Sequence, residues 1–238
     1  MKLGILLCDD VRPELQTCHG NYPEMFTRLF ERIDTDVKLH FYRVTDGQYP
    51  QSLDECDAYL ASGSRFSVYN ESRWITVFKA FINRLYRQKI PFVGICFGHQ
   101  MLAWALGGEV TRSINGWGIG VHQANIVRHQ ITQHRWLADI PSPFSLLVSH
   151  QDQITEPPLH TTVLASSDFC PYAMILVGDH SLGIQGHPEF TPEYSHDLIT
   201  LRQSNYSVAT FQTAIASLEY PTDHDLLTRG ILRFIRSC

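Results

Sequence analysis

The chain has no long apolar run. No stretch of its 238 residues approaches the length needed to cross a bilayer. The opening segment MKLGILLCDDVRPE turns polar at Asp9 and Asp10, too early for the apolar stretch and small-residue cleavage site of a signal peptide. Basic residues are not in excess either. With 19 Lys and Arg against 24 Asp and Glu, the formal charge is -5, and no positive field exists to hold nucleic acid or an anionic membrane. The six cysteines, Cys8, Cys18, Cys56, Cys96, Cys170 and Cys238, lie far apart with no CxxC pair. That spacing argues against a zinc knuckle or a disulfide framework, so no metal is expected and a reducing cytoplasm is the expected compartment. Repeats, low-complexity tracts and linkers are also missing. The 44% hydrophobic content is enough to bury a core without staples, and residues 1–238 read as one domain.

What is present alternates between strand and helix. Leu3 to Leu7, Val37 to Val44, Ala58 to Ala61 and Phe92 to Ile95 are short runs, several apolar on both faces as in a parallel sheet covered by helices. Between the last two, Trp74, Phe78, Phe81, Ile82 and Leu85 recur at helical spacing, with Asn70 or Ser72 as N-cap. After Cys96, the residues Met101, Leu102, Ala105 and Leu106 share a helix face that Gly107 and Gly108 close. This order predicts an α/β fold, a flavodoxin-like doubly wound domain with a mostly parallel central sheet. Further on, short strand-like runs (116–127, 146–149, 162–166, 173–177 and 182–185) crowd together with little room for helices. They predict an antiparallel or mixed extension of the sheet, closed by a helix over Leu226 to Ile235.

Residues 91–108 read PFVGICFGHQMLAWALGG. Gly94-Ile95-Cys96-Phe97-Gly98 is a GxCxG elbow, the thiol counterpart of GxSxG, set between a strand and a helix. Ligands of such sheets sit beyond the carboxyl ends of the strands. There the elbow presents the sulfur at a helix N-terminus, whose dipole and free N–H groups favour the thiolate. A buried structural cysteine beside turn glycines fits the same five residues; a partner base separates the two readings. SLGIQGHPEF supplies one: a strand-like run ends at Gly186, and His187 follows with Glu189 two positions on. A thiol nucleophile needs an imidazole to carry protons, and the imidazole needs an acceptor to fix its tautomer. His150 is a second candidate base, and Asp152 is a partner for an arginine or a turn. Cys8 ends the first strand without an elbow or a base.

GICFGHQMLAWALGG and GIQGHPEF resemble the two signature segments of the class I, or triad, glutamine amidotransferases. The likeness runs from Leu3 to about Glu193, leaving 194–238 as a helical extension. SGSRFSVYN, GWGIGVHQ and SHQDQI are similar to the free-standing members that resemble the amidotransferase domain of GMP synthetase. The resemblance implies that Cys96 attacks the amide carbon of glutamine, that His187 protonates the departing ammonia and then activates water, and that Glu189 orients His187. It implies an oxyanion hole from the backbone N–H groups of Gly63 and Phe97, and substrate contacts from Gln100, Ser149 and His150. The chain departs from the family at Ser62-Gly63-Ser64-Arg65, where many members carry Gly-Gly-Pro or Gly-Pro-Gly. Neither a GxxxxGK[ST] loop nor an SGGxDS-like loop of ATP pyrophosphatases is present, so no ATP-driven activation is encoded. The expected roles are a glutaminase serving a separate synthetase, a stand-alone γ-glutamyl peptidase or hydrolase, or a non-catalytic binding protein of the same fold. No cofactor is expected.

Overall fold

The computed structural model describes residues 1–238. In chain order it has β1 (Lys2–Leu7), α1 (Pro13–His19), α2 (Tyr22–Ile33), β2 (Lys38–Arg43), β3 (Ala58–Ala61), α3 (Arg73–Arg87), β4 (Phe92–Ile95) and α4 (Phe97–Ala105). There follow β5 (Glu109–Arg112), β6 (Gly118–Ile126), α5 (Arg128–Gln133), β7 (Phe144–His150), β8 (Asp152–Glu156), β9 (Thr161–Ser166), β10 (Met174–Val177) and β11 (Ser181–Ile184). Three helices close the chain: α6 (Pro192–Leu201), α7 (Val208–Ser217) and α8 (His224–Ser237).

Nine strands form one sheet in the order β2-β1-β3-β4-β11-β10-β9-β6-β7. The pairings from β2 through β11 are parallel and those from β11 through β7 antiparallel. The expected α/β sheet with an antiparallel extension is therefore found, and β11, from late in the chain, lies in its centre against β4. Side chains alternate across the sheet. Leu3, Ile5 and Leu7 of β1 point into a core shared with Phe26 and Phe30 of α2 and with Ile231 and Phe234 of α8. Leu6 and Cys8 point into a second core with Phe78 and Phe81 of α3 and Met101 and Leu102 of α4.

Local chemistry accounts for most of these elements. The four residues of β3 and of β4 are all buried, as strands covered on both faces must be. The apolar stripe of α3 lies on the sheet, and Ser72 precedes its first turn without a side-chain cap bond, while Asn70 accepts from the Ser67 amide instead. Asn21 and Glu24 make a reciprocal capping box that starts α2. The later half holds more helix than expected. Helix α5 sits between β6 and β7, and β5 pairs with β8 in a separate two-stranded sheet.

Candidate active site

Because β4 and β11 are parallel neighbours in the register Ile95↔Ile184, the residues that follow them emerge side by side. Cys96 is tied to this seam by its own amide, which donates to the Ile184 carbonyl at 2.8 Å. The His187 amide donates to Leu147 of β7 at 2.8 Å. On the other flank of β4, β3 ends at Ala61 and delivers Gly63. Three adjacent parallel strands thus bring Gly63, Cys96 and His187 to one edge.

Cys96 adopts φ 49° and ψ −99° immediately before α4. A non-glycine residue at positive φ is strained by about 1–3 kcal/mol and is held there only by its surroundings. The flanking glycines explain how the turn fits. A Cβ on Gly94 would lie 2.4 Å from the Gly98 backbone, and one on Gly98 would lie 2.7 Å from Ala61 Cβ. The bend needs hydrogen at both positions. It leaves Cys96 only 4% exposed, with its surface on a cavity of about 60 Å³ that His187 also lines.

The His187 side chain is held on three sides. Its Nδ1 lies 2.7 Å from Glu189 Oε1, and the Glu189 side chain is fully buried. The Phe190 ring stacks on the imidazole with centroids 3.9 Å apart and planes at 7°. Gly63 abuts its edge, where a Cβ would come within 2.7 Å of Cε1. Burial works to lower the His187 pKa, but the Glu189 carboxylate and the facing Cys96 sulfur outweigh it and raise the value to about 10. The imidazolium is the favoured form. The second carboxylate oxygen, Oε2 of Glu189, is buried with no partner.

The turn at Ser62-Gly63-Ser64-Arg65 is braced from the end of β1. Ser62 Oγ accepts from the Cys8 amide and donates to the Gly63 carbonyl; separately, the Gly63 amide has no acceptor in the protein. Asp9 accepts from the Arg65 amide at 2.8 Å and from its guanidinium at 3.0 Å. Phe97 supplies the first N–H of α4, a position with no intrahelical acceptor, while its ring stacks on Phe78.

The other expected positions differ among themselves. Ser149 lines the small cavity and an adjoining one of about 320 Å³, and its hydroxyl accepts from Arg202 at 3.3 Å. Gln100 lines the larger cavity, but its amide nitrogen is committed to the Asp152 carbonyl at 2.8 Å and to Gln185 at 3.2 Å. His150 lines the same cavity with no carboxylate partner, and burial, aided by nearby His122, lowers its pKa to about 3. Asp152 accepts from the Tyr69 hydroxyl and pairs with no arginine. Cys8 is sealed in the core beneath the turn, and burial raises its pKa far above that of a free thiol.

Sequence reasoning passed over Asp9, Tyr22, Phe190 and Arg202, all of which line the small cavity. Phe190 adjoins Glu189, so only its neighbourhood in the sequence pointed to it. Asp9 was visible as an acid two residues beyond the end of β1, at the sheet edge where ligands bind.

The family profile "Glutamine amidotransferase class-I" matches residues 17–202. This chain belongs to the class I glutamine amidotransferases. Gamma-glutamyl peptidase 3 of Arabidopsis thaliana is 32% identical over 76% of the amidotransferase chain and 74% of the relative. A GMP synthase (glutamine-hydrolyzing) subunit from Saccharolobus solfataricus is 28% identical over 71% of this chain and 85% of its own. The fold matches a glutamine amidotransferase from Thermotoga maritima with TM-score 0.74 at 19% identity, covering 99% of this chain and 96% of that one. These likenesses agree with a hydrolase of amide bonds.

Proposed function

We propose that Cys96, His187 and Glu189 form a catalytic triad that hydrolyses the γ-amide of a glutamyl group, glutamine first, through a thioester. One observation carries this reading: the strained elbow at Cys96 opens onto the cavity lined by an imidazole that is already paired with a buried carboxylate.

Although burial opposes it, Glu189 and the facing sulfur hold a proton on His187. The thiolate of Cys96 attacks the γ-carbonyl carbon and forms the C–S bond. The carbonyl electron pair moves onto oxygen, toward the amides of Gly63 and Phe97, a type of donor whose loss typically costs about 3–4 kcal/mol. Collapse of this intermediate breaks the C–N bond, and His187 gives its proton to the leaving nitrogen. Neutral His187 then takes a proton from water as that water attacks the thioester carbon; the C–S bond breaks with its electron pair returning to sulfur, which releases glutamate and restores the starting pair. Glu189 keeps the imidazole oriented throughout. Ser149, and the backbone beside His150, contact the amino-acid end of the substrate. Gln100 positions the Asp152 strand behind it.

Ammonia released by such a chain serves a separate synthetase, a reading supported by the relative that is named as part of a GMP synthase. Residues 1–238 act as one amidotransferase domain in which 194–238 is the helical extension; α8 packs into the core beside α2. A second reading, hydrolysis of a larger γ-glutamyl amide without a partner, draws on the 32% identity to a γ-glutamyl peptidase and on the larger cavity that Cys96 also lines. Its volume of about 320 Å³ lies within the range of small-molecule sites, about 300–1,000 Å³.

Glutamate and ammonia release, measured over glutamine, glutathione and other γ-glutamyl amides, tests the proposal. We expect turnover by the wild type and none by Cys96→Ala at unchanged fold. Turnover retained by Cys96→Ala would overturn it.

A further inference from the structure

We propose that Arg202 is the anchor for the α-carboxylate of the glutamyl substrate. This inference rests on the reading above, which places the γ-carbon of that substrate on Cys96.

Arg202 follows α6 directly and lines both cavities that meet at Cys96. Only two other cationic side chains, Arg12 and Arg65, do the same. Arg65 is already neutralised by Asp9, and the other acid of the small cavity, Asp10, is held at 2.8 Å by both guanidinium nitrogens of Arg43. Arg202 has no acidic partner. Its guanidinium lies over the Trp117 ring, 4.5 Å from the centroid, and Nη1 donates to the Ser149 hydroxyl. Its Nε is buried and donates to nothing in the protein.

Neutral groups thus fix this guanidinium in place, and its charge is left uncompensated. A partly buried cation with an idle donor is unfavourable until an anion arrives, and a planar guanidinium fork is suited to a carboxylate. Glutamine and every simple γ-glutamyl amide carry one such anion on the glutamyl part, three carbons from the reacting centre. Arg12 lacks this preparation, since its side chain makes no hydrogen bond that would fix it. Trp117 and Ser149 thereby gain a role as positioning residues for Arg202.

The test compares L-glutamine with 4-aminobutanamide, which is glutamine without its α-carboxylate, in the wild type, Arg202→Gln, Arg202→Lys and Arg12→Gln. The wild type should lose about 10- to 100-fold in kcat/KM on the truncated amide, the size of one charge-assisted contact. Arg202→Gln should lose a similar factor on glutamine, mainly through KM, and should no longer discriminate between the two. Arg202→Lys, which keeps the charge without the fork or the stacking, should fall between them, and Arg12→Gln should discriminate as the wild type does. Full discrimination in Arg202→Gln, or its loss in Arg12→Gln instead, overturns the inference. A binding arm separates this from the catalytic reading. Calorimetry on Cys96→Ala should show L-glutamate binding more tightly than 4-aminobutanoate, with the difference abolished by adding Arg202→Gln. A preference that survives the added change overturns the anchor, whereas absence of turnover by the wild type overturns only the catalytic assignment.

Discussion

Replacing Glu189 by Gln keeps the shape of the side chain and removes its charge from beneath His187. In the wild type the Nδ1–Oε1 separation is 2.7 Å and the carboxylate side chain is fully buried. Removing one partner of a buried ion pair costs about 3–5 kcal/mol. The Cys96 sulfur still faces the imidazole in the variant, so the lower end applies, about 3 kcal/mol. In a chain of this length about 3 kcal/mol corresponds to a Tm lower by about 6–12 °C. The loss depends on pH with a definite sign. The folded pKa of His187, raised to about 10, lies above the unfolded value of about 6.5. Its charge therefore stabilises the fold fully below about pH 6.5, and that contribution is lost as pH rises toward 10. The Tm gap between wild type and Glu189→Gln should be largest near pH 6 and should narrow by about pH 9.5. In catalysis the variant presents an amide to Nδ1 and no longer fixes the proton on the imidazole. General acid–base function contributes about 10²–10⁴-fold, so kcat should fall within that range, by less than in His187→Ala. Calorimetric melts across pH and a glutamate-release assay read both effects. A Tm gap that widens with pH, or a kcat equal to that of the wild type, refutes the reasoning.

Other substitutions probe the supports. Gly63→Ala places a methyl 2.7 Å from His187 Cε1; displacing the imidazole should lower kcat by about 10²-fold, with far-ultraviolet circular dichroism unchanged. Gly94→Ala drives a methyl to 2.4 Å from the Gly98 backbone, an overpacking expected to cost at least about 1–3 kcal/mol and to appear as a lower Tm together with lost activity. Cys8→Ala removes a thiol sealed in the core and should leave kcat/KM unchanged; a large loss would implicate the wrong sulfur.

How much of this could be read beforehand depended on whether the information was local. β3 and β4 were legible to the residue because each is a short, wholly apolar run between turns. The capping box Asn21–Glu24 lies in plain view at the start of α2, yet neither α1 nor α2 is among the helices expected from the sequence. The small β5–β8 sheet left no alternating pattern in Glu109–Arg112, since its pairing with Asp152–Glu156 is set by distant chain and shifts register at Glu109. The same distinction governs the site. Cys96, His187 and Glu189 sit in compact motifs whose chemistry shows in a few letters. Phe190, Tyr22 and Arg202 act through a stacking contact, a cavity wall and an unpaired donor, none of which exists until α2, α6 and the sheet are assembled. Gln100 was plain from its motif position, whereas the partners that hold its amide nitrogen, the Asp152 carbonyl and Gln185, were not.

The proposed chemistry depends most directly on the sulfur of Cys96. A glutamine-shaped diazoketone, incubated with the protein and followed by peptide mass spectrometry, should modify Cys96 alone among the six cysteines and abolish glutamate release in proportion to labelling, with no labelling of His187→Ala on the same timescale. Full activity in protein stoichiometrically labelled at Cys96, or modification that falls on Cys18 or Cys238 while Cys96 stays free, would contradict it.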